Sequence, residues 1–301
     1  MTGKKHPILF GLLIYGLIAL ALILLWKGSG FFLGKDFDSP LSSRIAVVPI
    51  RGMIADSKGA VDLLKKYRKD PKVKAIILRI DSPGGGTAAS QEIYREVQRT
   101  VSKKKVVASM GNVAASGGYY VALAADKIVA NPATLTGSIG VIMELSNIKE
   151  LLKKIGVNRE AVKSGPYKDI GSPVREIKPE ERRLLEEVIK NVHQQFIEVV
   201  MKGRQLSREK VEAIADGRIF TGQQAKDLGL VDELGSFEDA VDLTKKMVGL
   251  SGEVKVIYPE KKRISVWDFL FSALSEEIKA SLPLNQPQAQ LLLVPSLFYS
   301  N

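Results

Sequence analysis

Apolar and polar positions follow two rhythms along this chain of 301 residues. Short runs rich in Val, Ile and Ala, at residues 44–50, 73–80, 105–110, 127–130, 138–142 and 254–258, predict β-strands. Between them, residues 60–69, 88–103, 118–125, 146–154 and 179–202 carry the spacing of helices. Strands that are apolar on successive residues suit a sheet covered on both faces. The alternation therefore predicts an α/β domain with a largely buried sheet over residues 44–258.

The helix predicted over 179–202 has one apolar face made by Leu184, Leu185, Val188, Val192 and Phe196. Its start, Lys178-Pro179-Glu180-Glu181, places proline and two acids where the first backbone amides lack partners. Ser236 with Asp239 resembles a capping box opening a further helix.

A different pattern precedes the domain. Residues 8–26 form an uncharged, mostly apolar run of 19 residues, which as a helix spans roughly 28 Å, close to the thickness of bilayer hydrocarbon. The run is long for a signal peptide, and Trp26-Lys27-Gly28-Ser29-Gly30 is a poor cleavage site, so an uncleaved membrane anchor is expected at residues 1–27. Lys4 and Lys5 before it are matched by Lys27, Lys35 and Arg44 after it, so charge does not settle the orientation. A short tail inside, with the large domain exported to the extracytoplasmic side of the cell membrane, is the simplest single-pass topology. Residues 28–43, rich in Gly and Ser, read as a tether. Residues 259–301 form a C-terminal extension whose apolar stretches, 264–274 and 291–299, are too short to span a bilayer.

Composition removes several kinds of chemistry. Cysteine is absent, which excludes disulfides, thiolate catalysis and cysteine-ligated metals. The chain carries 44 Lys and Arg against 33 Asp and Glu, a net charge of +11. These charges are dispersed, and no zinc-finger spacing, RNA-binding aromatic signature or basic zipper accompanies them. The expectation is a solvated surface with some attraction to anionic lipid, no nucleic-acid partner, no cofactor and no metal. Only His6 and His193 are present.

Two glycine-rich places follow predicted strands. In Asp81-Ser82-Pro83-Gly84-Gly85-Gly86, the glycines let backbone approach a ligand, and their amides suit an oxyanion. An ordinary strand-to-helix turn fits equally well, and the P-loop lysine is missing. In Ala114-Ala115-Ser116-Gly117-Gly118-Tyr119-Tyr120, Ser116 stands at or just before a helix N-terminus. It is either a nucleophile beside the Gly117 amide or a plain N-cap. As a nucleophile it needs a base. His193 lies mid-helix without a neighbouring carboxylate, and His6 lies beyond the anchor, which leaves lysine. Lysine serves only when neutral, so its usual value of about 10.4 must fall by several units. Lys168, in a loop bounded by Gly165-Pro166 and Gly171-Ser172-Pro173, is the local candidate among many lysines.

These motifs resemble the signal peptide peptidase A (protease IV) group, peptidase family S49, in its short single-domain form. The resemblance covers roughly residues 44–258 and the anchor. It rests on the two glycine motifs, on Leu135-Thr-Gly-Ser-Ile-Gly-Val141, on Tyr167-Lys-Asp-Ile-Gly-Ser-Pro173, and on 215–225 with 230–234. It implies Ser116 as nucleophile, Lys168 as general base, Ser138 as hydrogen-bond partner of the lysine, and the Gly85 amide in the oxyanion hole. The Gly117 amide is added on the helix-terminus argument. The resemblance further implies a crotonase/Clp-protease-like fold and a homo-oligomer whose sites are shared between subunits. The implied substrates are peptides: signal peptide remnants in the membrane, and misfolded membrane or secreted proteins. The competing readings are acyl-CoA chemistry on the same fold and a catalytically inactive membrane scaffold.

Overall fold

A computed structural model describes residues 43–259, together with Ile18 and residues 290–292. The chain divides into two compact units, Met1–Ser42 and Ser43–Asn301. In the first, only Ile18 is described, in helical conformation. The expected anchor and tether otherwise lie outside the described residues, as does most of the C-terminal extension. Among the described residues no helix is long and apolar enough to cross a membrane.

The second unit is a mixed α/β structure built on three long parallel strands, β1 (Arg44–Ile54), β2 (Val73–Gly86) and β3 (Lys105–Ala115). Side chains alternate between the two faces of a strand. Val48, Ile76, Leu78, Ile80, Val106 and Met110 turn to one face. There they pack with Leu64 and Tyr67 of helix α1 (Lys58–Lys69) and Ile93 and Val97 of α2 (Thr87–Val101). Ile45, Ala75 and Ile77 turn to the other face, where Val241 covers them. Both faces are buried, which is why these strands read as continuous apolar runs.

Further strands extend the sheet. Along one edge of β3, β4 (Lys127–Ala130) pairs at Val107–Ser109 and β5 (Leu135–Gly137) pairs at Val113–Ala115, both parallel. β6 (Ile219–Thr221) pairs antiparallel with β5, β7 (Glu233–Leu234) parallel with β4, and β8 (Lys255–Ile257) parallel with β1. β9 (Gln290–Leu292) pairs antiparallel with the glycine end of β2. The remaining helices are α3 (Gly117–Ala122), α4 (Lys149–Lys154), α5 (Pro179–Arg204), α6 (Arg208–Glu212), α7 (Gly222–Asp227) and α8 (Phe237–Met247). The capping box expected at α8 is present, with Ser236 Oγ accepting from the Asp239 amide.

Three local expectations change. The run Asp81–Gly86 is not a turn: it continues β2, pairing Gly84 and Gly85 with Met53 and Ile54. In place of the strand expected at 138–142 stands β5 at Leu135–Gly137, after which Gly137 (φ 79°) and Ser138 (φ 51°) turn the chain out of extended geometry. The apolar face of α5 is covered only in its C-terminal half. Phe196, Ile197 and Val200 are buried, whereas Leu184 and Val188 are exposed in the single chain.

Leu78 is fully buried in the larger core cluster. Leu78→Ala is therefore expected to lower unfolding free energy by about 2–5 kcal/mol, measured by urea denaturation. A loss under about 1 kcal/mol would mean that the core collapses around the gap.

Candidate active site

The ends of β2 and β3 bring the two glycine motifs together. Beyond Ile80 the pairing of β2 with β3 slips, resuming at Ser82 with Ala114. Asp81 serves this irregularity, its Oδ1 accepting a hydrogen bond from the Val113 amide at 3.1 Å. A Cβ on Gly111 would lie 2.8 Å from the Asp81 carboxyl carbon, so glycine is what fits there. Ser82 Oγ accepts from the Gly84 amide at 3.1 Å. Thr136 Oγ1 donates to the Ala114 carbonyl at 2.6 Å, tying β5 to β3 by a side chain as well as by the ladder.

Ser116 comes next, between β3 and α3. Its backbone has φ 52° and ψ −118°, a conformation that costs a non-glycine residue of order 1–3 kcal/mol. The bend is held by two bonds: the Ser116 amide donates to the Gly137 carbonyl, and its own carbonyl accepts from the Tyr120 amide, each at 2.8 Å. Although Ser116 occupies the N-cap position, its side chain makes no capping bond. Its Oγ is buried and has no hydrogen-bond partner among the described residues. A buried hydroxyl left so costs about 1–3 kcal/mol. Two unfavourable features at one residue do not describe a cap.

Beside it stands the glycine end of β2. A Cβ on Gly117 would lie 3.3 Å from the Gly85 nitrogen and 2.5 Å from Ser90 Oγ. The residue after Ser116 therefore packs directly on the Gly85 amide. A Cβ on Gly85 would meet the Ile54 backbone at 2.4 Å, so no side chain fits there either. Ser90, fully buried, donates to the Gly86 carbonyl at 3.0 Å and closes the cluster. On its other side Ser138 is buried and also at positive φ, its amide donating to the Arg218 carbonyl at 2.8 Å. Gly85, Gly117 and Ser116 are thus neighbours. Ser138 joins them through Gly137, whose carbonyl receives the Ser116 amide.

Lys168 is elsewhere. It lies in a run of turns between α4 and α5, its side chain exposed and without a hydrogen bond or ion pair among the described residues. Within one chain it does not reach Ser116 Oγ. His193 is part of α5, and its buried Nε2 also has no partner.

The turns around Lys168 are held by charge. Asp169 accepts from Arg175 through Nε at 2.8 Å and Nη2 at 2.9 Å, and from Lys163. Arg175 also grips Glu181, Nη1 donating at 2.7 Å and Nη2 at 2.6 Å. Glu181 in turn accepts from the Lys178 amide at 3.0 Å, capping α5. Hydrogen bonds from Arg175, then Lys163, hold the Asp169 carboxyl well below the usual range. Those from Arg175 and the Lys178 amide bring Glu181 down to about 2.

Asp81, Ser82, Ser90, Thr136 and the Arg175 network were not singled out from the sequence as parts of a site. Asp81 and Ser82 stood inside a quoted motif. Ser90 meets Gly117 and Thr136 bonds Ala114 across long stretches of chain, whereas Glu181 finds Arg175 only six residues away.

Comparison with known proteins is consistent across the domain. The model of peptidase family S49 matches residues 98–251. A putative protease of Synechocystis is 47% identical over 215 residues, covering 71% of this chain and 78% of the relative. A putative signal peptide peptidase SppA of Enterococcus faecium is 37% identical over 231 residues, 72% of this chain and 67% of the relative. The chloroplastic serine protease SPPA of Arabidopsis thaliana is 37% identical over 236 residues, 74% of this chain but 35% of its own length.

The depressed Glu181 value gives a test of the charge network. Its stabilising effect is complete above the ordinary glutamate value of 4.5 and is lost as pH falls through about 2. The melting temperature of Glu181→Gln is expected below that of the parent at neutral pH, with the gap closing across that window. A gap independent of pH would show that packing, not charge, sets it.

Proposed function

This chain belongs to peptidase family S49, and on that footing we propose that it is a membrane-anchored serine endopeptidase working with a Ser/Lys dyad. Ser116 is the nucleophile and Lys168, supplied by a neighbouring copy, is the general base. Ser138 donates or accepts a hydrogen bond with the lysine amine. The amides of Gly85 and Gly117 form the oxyanion hole. Signal peptide remnants in the membrane are the substrates, with misfolded membrane or secreted proteins as a second class.

One observation carries the reading: a buried, backbone-strained Ser116 hydroxyl without a partner, one residue from a glycine packed on the Gly85 amide. Neutral Lys168 takes the Oγ proton as oxygen attacks the substrate carbonyl carbon. Negative charge moves to the carbonyl oxygen, where fixed amides stabilise it without reorganising. The lysine then returns the proton to the leaving amine, and water hydrolyses the acyl-serine by the same route. For this, the Lys168 ammonium must lose its proton, which requires burial that one chain does not provide.

The surroundings of Lys168 support a second copy as the source of that burial. Ile155 is 64% exposed and Val162 fully so, and Leu151, Leu184 and Val188 are also open to solvent. Exposed apolar side chains on this excursion and on α5 suit a surface that another protein covers. The antiparallel pairing of β9 with Gly84–Gly86 supports an extended peptide lying along the same strand edge. The exported topology on the cell membrane completes the proposal, since signal peptide remnants lie in the bilayer.

Ser116→Ala and Lys168→Ala are each expected to lower peptide cleavage by at least ~10³-fold while remaining folded. A serine-reactive phosphonate should label Ser116 in the parent chain. Mixing the two inactive variants should restore cleavage in part, because some sites then combine an intact serine with an intact lysine. Full activity of either variant refutes the dyad. Absence of recovery after demonstrated subunit exchange refutes the shared site.

A further inference from the structure

Between Ile139 and Glu181 no side chain is buried. Helix α4 buries none of its residues, and the turns around Lys168 hold themselves by local bonds such as the Ser172 amide to the Asp169 carbonyl at 3.1 Å. Apolar packing therefore does not fix this excursion to the body of its own chain. What returns the chain to the core at its far end is a carboxylate: Glu181, 1% exposed, in the first turn of the 26-residue helix α5.

Arg175 joins this buried group to the residue next to Lys168. Its planar guanidinium presents donors on two edges, and here each edge meets a different carboxylate. Nη1 and Nη2 take both oxygens of Glu181, while Nε and Nη2 take both oxygens of Asp169. Nη2 also donates to the Asp169 backbone carbonyl at 3.0 Å, so the grip includes main chain as well as side chain. Lys163 closes the outer side of Asp169. We propose that Arg175 is the positioning residue for the general base: it clamps Asp169 to Glu181 and so fixes the backbone of Lys168 on the rigid start of α5.

The clamp explains how an exposed, unpacked segment can present one amine reproducibly to a neighbouring subunit. Displacement of a reacting group by about 1 Å costs on the order of 100-fold in rate, so a base on a loosely held loop would be a poor catalyst. Lysine at 175 cannot substitute, since a single ammonium lacks the two-edged fork. This inference rests on Lys168 being the base.

The test uses the full chain in detergent. Asp169→Asn loosens only the outer half of the clamp and leaves Glu181 paired; Arg175→Met removes both halves. Both are expected to lower kcat about 10–100-fold with KM changed less than about 3-fold. The number of Ser116 sites titrated by a phosphonate should be unchanged. Amide hydrogen exchange over residues 165–172 should quicken. Arg175→Lys should not restore kcat. Should Arg175→Met fail to fold, Asp169→Asn decides alone. Unaltered kcat in a folded variant, with Lys168→Ala inactive, overturns the clamp and leaves the dyad standing. If Lys168→Ala is active, the dyad falls and the positioning role of Arg175 is overturned with it.

Discussion

Parallel pairing of β1, β2 and β3, with apolar side chains on both faces, is the constraint from which the candidate site follows. Burial on two sides leaves these strands no freedom to slide, because a one-residue slip would exchange Ile76, Leu78 and Ile80 with their neighbours on the opposite face. The strands then run beyond their apolar stretches into Gly84–Gly86 and Ala114–Ala115. Those ends carry no large side chain and pack by close backbone approach. They are placed by the register established behind them and by polar bonds such as Asp81 to the Val113 amide.

That rigid frame is what lets Ser116 keep an unfavourable backbone and a hydroxyl without a partner. Each feature costs a few kcal/mol at most, and a buried three-stranded core offsets both. The surrounding glycines mark close approach rather than flexibility. A side chain at Gly85 or Gly117 would meet backbone or a buried serine, so the amide, the strand end and the helix start come within contact only when both positions lack Cβ.

Lys168 stands in a contrasting setting. Ser116 sits in a core that any single chain completes, whereas the lysine rides on a segment without buried side chains, held by Arg175 between Asp169 and Glu181. Exposed Ile155 and Val162 on the same excursion leave its apolar surface open. The proposed dyad would thus join a hydroxyl built into the core of one fold to an amine carried on an ion-held arm.

The long strands and most helices were legible in the sequence because runs such as 73–80 and the helical spacing over 88–103 register burial directly in residue type. The glycine motifs and Ser116 were legible as well, although only as places where a nucleophile or an ordinary turn and cap were both admissible. Tertiary structure decided what local pattern could not. Gly84–Gly86 is strand because β1 pairs with it, and residues 138–142 are not strand because Gly137 and Ser138 take positive φ where β5 ends. Periodicity reported that Leu184 and Val188 share a face with Phe196, yet not that only Phe196 finds a neighbour within the chain. Nor does spacing reveal that Thr136 bonds the Ala114 carbonyl. Residue type encodes a preference for burial or charge, whereas the identity of the partner depends on which distant segments the folded backbone brings into contact.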